Sequence, residues 1–410
     1  MLLRASYERV KLTIDYSLAQ DNNHSLTESL FIYFCFHFLE YYEGSRGAAR
    51  EDKKNLQRLE QVMAKLIQHD GSFAMYSVNY HRAVCDILSL TKVIDDALKS
   101  GFWSQGSNLS YIKKMYAFLS MLVDPVSGGA PNIGHNDGSL HAIQYTSFSD
   151  YSPSVVFMGG VFSLPVDQVF REAHKKVYCF EYPVSFLDAH RPRFAKYESF
   201  GMVVVSTALY TAFLKYPNNK FRPQQQDFLH LDLWVRGANV FRDSGTYSYN
   251  PKDPSLIEYF DDAAAHNVPF LTGESFVARL SRFLYLEWPD TDIKTSVDGC
   301  KTEVSARIVN RRGQSFIRNL KFFDNCISIL DQGPEDADWA VAYNLITPPT
   351  DLGLSTTVAP GVFLDCDVTM SVTEAFFSTR YLDKQVGARI VISAEKGTVL
   401  STRLNIQEQL

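Results

Sequence analysis

Apolar residues recur at spacings of three and four through roughly the first 125 residues. Within residues 51–71 one apolar stripe, which is typical of an amphipathic helix, contains Leu56, Leu59, Met63 and Leu66, joined by Val62 and Ile67. Similar stripes run through residues 80–101 and 109–125, and each is closed by Gly or Pro. Successive helices joined by turns predict a series of antiparallel helical hairpins.

From residue 197 onward the pattern changes to that of short strands. Leucines alternate with His230, Asp232 and Trp234, and β-branched runs separated by turn residues continue to the C-terminus. Helices followed by strands predict an α+β multidomain protein, with a helical domain over 1–196 and an antiparallel β-sandwich over 197–410. The Gly- and Pro-rich residues 124–139 are predicted to be a loop, and residues 162–177 a further helix.

Composition excludes some classes of partner. The chain has 410 residues, 46% hydrophobic and 21% charged, with a net charge of -6, so we expect no nucleic-acid partner. Its six cysteines form no C-x-x-C pair, and so they predict neither a zinc knuckle nor a disulfide framework.

The N-terminal residues do not read as an export signal. Arg4, Glu8, Arg9 and Lys11 interrupt the first apolar run, and no later run reaches the roughly 18 apolar residues of a membrane span. We therefore expect no membrane insertion. The expected location is cytoplasmic for the chain as given, or the periplasm and cell envelope if its N-terminus is truncated.

One polar motif precedes an apolar helix, in the sequence AQDNNHSLTES at 19–29. Ser25 and Glu28 fit a capping box, which predicts a helix over 26–42. Three polar residues directly precede the N-terminus of this helix: Asn22, Asn23 and His24. The positive end of a helix favours a carboxylate or sulfate, so these side chains are candidates for anion binding. The alternative is that the asparagines satisfy local backbone groups.

A second candidate lies at the start of the next helix, in the sequence DGSFAMYSVNYHR at 70–82. It holds Tyr76, Tyr80, His81 and Arg82. A tyrosine beside a cation can be tuned toward the phenolate and so accept a proton. The alternative is that these side chains pack at the helix start.

A third group is a candidate metal site. Asp243 and His266, with His230 or Asp232, supply the imidazole and carboxylate ligands that zinc accepts. Alternatively, His230 and Asp232 are polar residues on the solvent face of a half-buried strand.

Together these stretches resemble the heparinase II/III-like family of polysaccharide lyases, especially the branch associated with bacterial surface-polysaccharide gene clusters. The matching segments are 19–29, 70–82, 128–139, 230–250 and 263–267. The resemblance implies an incomplete α/α toroid of helical hairpins followed by an antiparallel β-sandwich. Relative to that architecture, this chain starts inside the toroid.

The resemblance also implies β-elimination at a uronic acid. Asn23 and His24 match the residues that hydrogen-bond the substrate carboxylate, and Tyr80 matches the tyrosine that acts as base, acid or both. Other residues are expected to contact the acidic polysaccharide: Asn22, Tyr76, His81, Arg82, Asn136, Tyr247 and Tyr249.

One departure from the family pattern concerns the metal and the catalytic histidine. Where the family has His-x-His-x-Asp, this chain reads PQQQD over 223–227, with Pro223 and Gln225 at the histidine positions and Asp227 retained. The ligands implied for one structural zinc ion become Gln225, Asp243 and His266, and glutamine is a poor substitute for imidazole at zinc. The role of the catalytic histidine would have to pass to one of three others, His81, His135 or His230.

Three functions follow from these observations. The first is a lyase acting on an acidic bacterial exopolysaccharide, O-antigen or capsule. The second, which the lost histidines favour, is a non-catalytic polysaccharide-binding protein in polymer assembly or export. The third is a glycan hydrolase, for which Glu28 and Asp137 are the candidate carboxylates.

Overall fold

The chain divides into two compact units. The computed structural model describes residues 2–43, 49–140, 147–177, 182–188, 191–218, 225–281 and 284–408. The first unit comprises Met1–Gly128 and Ser139–Ala189, and the second comprises Gly129–Gly138 and His190–Leu410. The sequence-based boundary lay at 196/197, whereas the units divide at 189/190 and the loop 129–138 belongs with the second.

The first unit is helical. Its helices are α1 (Leu2–Gln20), α2 (Asn23–Glu43), α3 (Ala49–Leu66), α4 (Val78–Leu98), α5 (Gly106–Leu122) and α6 (Ser152–Val161), with 3₁₀ turns at Phe102–Ser104 and Gln168–Lys176 and a parallel pair of two-residue strands, β1 (Val166–Asp167) and β2 (Phe186–Leu187). Helices α1 and α2 pack through Tyr7, Ile14, Ile32 and Phe36. Consecutive helices therefore bury their apolar stripes against each other.

Helix α3 shows how closely the stripe determines the packing. Leu59 and Met63 have no solvent exposure, as the periodicity predicts. The turn after the helix contains Gly71 at φ +87, where a Cβ atom would lie 2.2 Å from the carbonyl oxygen of Lys114. Only glycine fits this position, so Gly71 allows the turn after α3 to pack closely against Lys114.

Two helical assignments need correction. The helix predicted over 162–177 is wrong, because Pro165 lacks a backbone N–H and Asp167 caps a separate 3₁₀ segment by accepting from Val169 N at 3.1 Å. Helix α6 was not predicted. All of its residues are buried, so it shows no polar face from which a helical period can be read.

In its described residues, the second unit consists of antiparallel sheets with one short helix, α7 (Ser255–Asp261), and a 3₁₀ turn at Ala263–Ala265. The five-stranded sheet has the order β3-β4-β5-β6-β7, with β3 (Phe194–Tyr197), β4 (Met202–Ser206), β5 (Tyr210–Lys215), β6 (Leu231–Val235) and β7 (Ala238–Phe241).

The other strands form two further sheets and a hairpin. They are β8 (Pro269–Leu271), β9 (Arg279–Ser281), β10 (Leu284–Tyr285), β11 (Asp290–Asp298), β12 (Lys301–Val309), β13 (Ser315–Phe322), β14 (Cys326–Gln332), β15 (Trp339–Leu345), β16 (Ser355–Ala359), β17 (Val362–Cys366), β18 (Ser371–Phe377), β19 (Gln385–Ala394) and β20 (Val399–Ile406). The seven-stranded sheet runs β11-β12-β13-β14-β20-β17-β16, the four-stranded sheet runs β18-β19-β15-β8, and β9 pairs with β10.

One hydrophobic core joins these three sheets. Val205 and Leu233 enter it from the five-stranded sheet, Leu320 from the seven-stranded sheet and Tyr343 from the four-stranded sheet. The predicted fold class is confirmed, since helices occupy the N-terminal part and antiparallel sheets the C-terminal part. None of the helices in the described ranges has an apolar stretch long enough to cross a lipid bilayer.

A buried arginine crosses this core. Arg318 on β13 donates through Nε and Nη2 to the two oxygens of Asp331, at 2.7 and 2.9 Å. Its Nη1 donates to the carbonyl oxygens of Leu229 and Asn267, both at 2.8 Å. With the side chain fully enclosed, all four bonds are shielded from water.

We expect Arg318→Ala to destabilise the second unit by about 3–5 kcal/mol, because Asp331 would be left as a buried, uncompensated charge. Chemical denaturation followed by Trp fluorescence measures the loss. Arg307→Ala is the matched control, since that side chain is exposed on β12, and it should stay within about 0.5 kcal/mol of the parent. Equal effects of the two substitutions would contradict the assigned role of Arg318.

Candidate active site and candidate metal centre

The helix mouth at α2 is built differently from the predicted capping box. Asn22, not Ser25, is the N-cap, because its Oδ1 accepts from His24 N at 2.9 Å and the helix begins at Asn23. Ser25 accepts from Asn22 N at 3.2 Å and donates to Ser17 O at 2.7 Å. A reciprocal box therefore exists, but it lies three residues earlier than predicted, and Glu28 takes no part in it.

Asn22 therefore has a different role from Asn23 and His24. Asn22 is used in capping, which is the local backbone role that the sequence left open. Asn23 is half-buried and His24 exposed in the first turn, and neither side chain hydrogen-bonds to another residue of the described ranges. Their donors thus remain available at the positive end of α2.

Tyr80 lies in the first turn of α4. Ser77 is the N-cap of that helix, and its hydroxyl accepts from Tyr80 N at 3.3 Å. Tyr76, directly before the cap, has φ +51, an uncommon conformation for a bulky residue. Both tyrosines are largely buried, so the chain reversal and the cap together fix where Tyr80 stands.

His81 is placed in the core of the helical unit. It is fully buried, its Nε2 lies 3.2 Å from Met115 O on α5, and its ring meets Phe118 edge-on at 4.8 Å. Burial lowers the pKa of His81 to about 4, although the contact with Met115 O acts in the opposite direction. With no exposed surface, this histidine packs α4 against α5 and does not meet a ligand at the surface, contrary to expectation.

Arg82 is also fully buried. Its Nη1 donates to Phe148 O at 2.5 Å and its Nη2 to Asn79 Oδ1 at 2.9 Å. The guanidinium lies 3.9 Å from the ring centroid of Tyr151. Burial raises the pKa of Asp86, one turn along α4, to about 7, while Arg82 acts to lower it. Arg82 therefore joins α4 to residues 147–151 and was wrongly expected to face substrate.

Asn136 belongs to the second unit and is almost completely buried. Its backbone N donates to Thr246 Oγ1 at 3.0 Å, and its Oδ1 accepts from Gly138 N at 2.8 Å. Nearby, Asn132 Nδ2 donates to Ser378 O at 2.9 Å. These bonds give Asn136 a role in holding the loop 129–138, which the sequence did not anticipate.

Tyr247 and Tyr249 are half-buried in the same unit. Tyr247 stacks on Phe260 with ring centroids 5.8 Å apart. Tyr249 lies 5.7 Å from the ring of Tyr381, and Tyr249 N donates to the Tyr381 hydroxyl at 3.0 Å. Tyr381 extends the aromatic group, and the sequence offered no signal for it, since it lies 132 residues from its partner.

His135 adjoins this aromatic group. Its ring lies 5.8 Å from that of Tyr249. Burial lowers the pKa of His135 to about 4, with Asp227 acting to raise it and Arg279 and Lys215 acting with burial. The imidazole is therefore neutral at pH 7 and interacts electrostatically with Asp227.

The candidate metal ligands meet in the interior. Asp243 Oδ2 lies 2.9 Å from His266 Nδ1 and 3.6 Å from His230 Nε2, and Asp243 Oδ1 accepts from Gly245 N at 2.7 Å. All three side chains have no exposure, and their ligand atoms lie within 4.8 Å of one another. The alternative that His230 and Asp232 face solvent is wrong, because strand β6 is buried along its whole length.

Gln225 adjoins this cluster. Its Nε2 donates to Gly245 O at 2.6 Å and to Phe260 O at 3.0 Å, while its buried Oε1 has no hydrogen-bond partner in the described part of the chain. Pro223, at the other family histidine position, lies outside the described residues.

The ligand set fits zinc poorly. His230 Nδ1 accepts from Asn267 N at 3.0 Å, so the proton of the neutral ring is on Nε2, and that nitrogen cannot also bind a metal. Asp243 and His266 remain, already bonded to each other, together with an amide oxygen. A structural zinc site normally has four strong ligands, so we derive no chemical step through a metal here.

Electrostatics favour a charge pair in this cluster. Burial lowers the pKa of His266, but Asp243 outweighs burial, and the net shift is upward. Burial raises the pKa of Asp243, but His266 and His230 outweigh it, and the net shift is downward. Both net shifts favour the charged form of the side chain beside its partner.

A second buried pair was missed by the sequence reading. Lys215 Nζ at the end of β5 lies 2.9 Å from Asp227 Oδ1, and each side chain is 1% exposed. The signal was a lysine closing an otherwise apolar run, "LYTAFLKY". This pair explains why Asp227 is tolerated in the interior.

Comparison with known proteins places this geometry in a known fold. No protein-family model matches the chain, and no curated protein matches it. A heparinase III structure with methylated lysines matches with TM-score 0.72 and 15% identity, covering 95% of this chain and 59% of that chain. The heparan sulfate lyase HepC from Pedobacter heparinus matches with TM-score 0.70 and 13% identity, covering 95% of this chain and 61% of that one.

The chain has the fold of heparinase-type polysaccharide lyases. A chondroitin AC lyase from Streptomyces coelicolor A3, in complex with chondroitin sulphate, is more distant, with TM-score 0.57, 9% identity and coverage of 94% of this chain and 60% of that one. The chain thus spans about three fifths of the length of these structures. The resemblance read from the sequence is confirmed for the heparinase-type fold, whose neighbours here are polysaccharide lyases.

We expect Asn22→Ala to lower stability by about 0.5–2 kcal/mol, because the first turn of α2 loses its cap. Asn22→Ser should retain most of the stability, since serine caps equally well. Asn23→Ala should stay within about 0.5 kcal/mol, because its side chain bonds to no described residue. Urea denaturation followed by circular dichroism distinguishes the three, and a stable Asn22→Ala variant would refute the capping assignment.

We expect Lys215→Met to destabilise the second unit by about 3–5 kcal/mol, because Asp227 would be left buried and unpaired. The double variant Lys215→Met with Asp227→Leu should recover most of this loss. Lys294→Met, at an exposed side chain, is the control. A double variant no more stable than Lys215→Met would show that the loss comes from packing and not from charge.

Proposed function

We propose that this protein is a polysaccharide lyase that cleaves an acidic, uronic-acid-containing polysaccharide by β-elimination. The observation that carries the proposal is the N-terminus of α2, where the side chains of Asn23 and His24 have no hydrogen-bond partner among the described residues. The fold, which is shared with polysaccharide lyases, supports the same reading.

The β-elimination reaction explains why hydrogen-bond donors are needed at the N-terminus of α2. The C5 proton of a uronic acid is weakly acidic while the adjacent carboxylate keeps its charge. Donors that neutralise this carboxylate stabilise the enolate that develops as the proton leaves. Asn23 and His24 supply two such donors, and the helix terminus adds its own partial positive charge.

Tyr80 is the group that we assign to proton transfer. Its phenolate oxygen takes the C5 proton, the electron pair forms the C4–C5 double bond, the C4–O4 bond breaks, and the departing O4 takes that proton from the Tyr80 hydroxyl. The Ser77 cap and the buried side chains of His81 and Arg82, which directly follow Tyr80 in α4, make the position of Tyr80 rigid. We therefore treat His81 and Arg82 as positioning residues.

The second unit offers groups for binding sugar rings. The half-buried aromatic rings of Tyr247, Tyr249 and Tyr381 present flat apolar faces beside hydroxyl groups, which suits contact with a polysaccharide. The proposed substrate class is a bacterial surface polymer such as an exopolysaccharide, O-antigen or capsule.

We assign to His135 the role of the catalytic histidine that Pro223 replaces in this chain. His81 lies in the helical core, and the tautomer of His230 is fixed by Asn267 N. His135 is neutral and adjoins Tyr249, so it can exchange a proton with a neighbouring hydroxyl group.

A non-catalytic polysaccharide-binding protein is the second candidate function. The replacement of two family histidines by Pro223 and Gln225 favours it. No observation in the described ranges favours the glycan hydrolase that Glu28 and Asp137 suggested.

Incubation with a panel of polyuronides tests the proposal, because β-elimination creates a conjugated unsaturated uronate that absorbs ultraviolet light. We expect Tyr80→Phe to lose about 10²–10⁴-fold in rate. Tyr41→Phe, at an exposed ring on α2, should leave the rate unchanged.

Three results would contradict the lyase. Shortened products without the absorbance would indicate hydrolysis. Binding on a glycan array without turnover, unaffected by Tyr80→Phe, would indicate the binding protein. Full activity of Tyr80→Phe would remove Tyr80 from the mechanism.

A further inference from the structure

We infer that a cavity beside helix α7 binds an uncharged sugar residue of a polysaccharide, with Arg389 and Tyr259 as its hydrogen-bond donors. The described residues that line this cavity all belong to the second unit, and the proposed cleavage uses none of them. The inference rests on the proposed polysaccharide ligand, but it is independent of the cleavage step.

The cavity beside α7 has the size of a small-ligand site. Its volume is about 580 Å³, and such sites usually measure roughly 300–1,000 Å³. Helix α7, the 3₁₀ turn after it and strands β18 and β19 form its walls. The rings of Tyr259 and Phe376 meet edge-on there, with centroids 5.3 Å apart. These aromatic surfaces suit the C–H face of a sugar ring.

Arg389 on β19 is held in place by two hydrogen bonds. Its Nε donates to Asn344 Oδ1 at 2.9 Å, and its Nη2 donates to the Tyr259 hydroxyl at 2.8 Å. Asn344 is itself fully buried, and its backbone N donates to Asn267 Oδ1 at 2.7 Å. The Nη1 of Arg389 has no hydrogen-bond partner among the described residues. The guanidinium is therefore fixed by its neighbours while one nitrogen stays available to a ligand.

The hydroxyl group of Tyr259 also has a hydrogen left to donate. Its oxygen accepts from Phe376 N at 2.7 Å and from Arg389 Nη2 at 2.8 Å. A phenolic hydroxyl group can still donate while it accepts, and that of Tyr259 donates to no residue in the described ranges. A ligand oxygen in the cavity can therefore accept from both Tyr259 and Arg389.

The charges around the cavity favour an uncharged ligand. Its lining has three carboxylates, those of Asp253, Glu258 and Asp262, against two cations, those of Lys384 and Arg389. A carboxylate on the ligand would meet this excess of negative charge. A sugar hydroxyl group both donates and accepts, so it can accept from Arg389 and donate to Glu258. The Glu258 side chain is exposed and bonds to no described residue.

Ligand-observed NMR on the full chain tests the inference. Saturation transfer is measured with the methyl glycosides of glucose, galactose, mannose and N-acetylglucosamine, and with those of glucuronic and galacturonic acid. We expect at least one neutral glycoside to bind. The absence of binding by all four neutral glycosides would overturn the inference.

Substitutions in the cavity locate the binding. Tyr259→Phe removes the donated hydrogen and keeps the ring, and Arg389→Gln removes the guanidinium. We expect each to weaken binding of the neutral glycoside about tenfold or more, and to leave any binding of the uronic acids unchanged. Unchanged binding of the neutral glycoside, or an equal loss for a uronic acid, would overturn the inference.

An exposed side chain keeps the test valid if either variant fails to fold. Glu258→Ala should weaken binding of the neutral glycoside several-fold, because a hydroxyl group of the sugar loses its acceptor. Glu374→Ala is the matched control, since that side chain is exposed on β18 and does not line the cavity. Equal affinities of these two variants would contradict the role of Glu258 and with it the inferred site.

Glycoside binding and polysaccharide cleavage are measured separately. Loss of the ultraviolet signal with glycoside binding retained would refute the lyase alone. Ultraviolet activity without binding of a neutral glycoside would refute the cavity beside α7 alone.

Discussion

The second unit depends on one buried guanidinium. Arg318 belongs to the seven-stranded sheet, yet two of its hydrogen bonds end on carbonyl oxygens outside that sheet, at Leu229 just before β6 and at Asn267 just before β8. Strand β6 belongs to the five-stranded sheet, and strand β8 belongs to the four-stranded sheet. A single cation, neutralised by Asp331, thereby sets the relative positions of three sheets in this unit.

Asn267 links Arg318 to His230. With its carbonyl oxygen held by Arg318, its backbone N–H is aimed at His230, its Nδ2 donates to Leu231 O at 3.0 Å, and its Oδ1 accepts from Asn344 N at 2.7 Å. Each polar group of this residue is therefore used. The orientation of the His230 ring follows from the fixed backbone of Asn267.

Much of this architecture could be predicted from the sequence, because it rests on local periodicity. Short stretches of sequence are enough to recognise the stripe of α3, the hairpin strands and the polar residues at the N-terminus of α2. The cap of α2 could not be located to the residue, since Asn22, Asn23 and Ser25 can all cap, and the choice is decided by Ser17 O, which Ser25 needs as a partner. Burial of His81 and the pairing of Lys215 with Asp227 depend on neighbours from other elements, which do not appear in the same short stretch of sequence.

The loop 129–138 has a consequence for the order in which the chain becomes structured. Its partners lie far downstream, since Asn136 N bonds to Thr246 across 110 positions and Asn132 to Ser378 across 246. During synthesis from the N-terminus, the helical residues on both sides of this loop leave the ribosome long before Ser378 exists. The helical residues on both sides therefore precede the partners of this ten-residue excursion, and Asn132 lacks its partner until Ser378 has been made. Ribosome-bound chains halted before residue 378 would carry this excursion as an exposed, protease-sensitive segment.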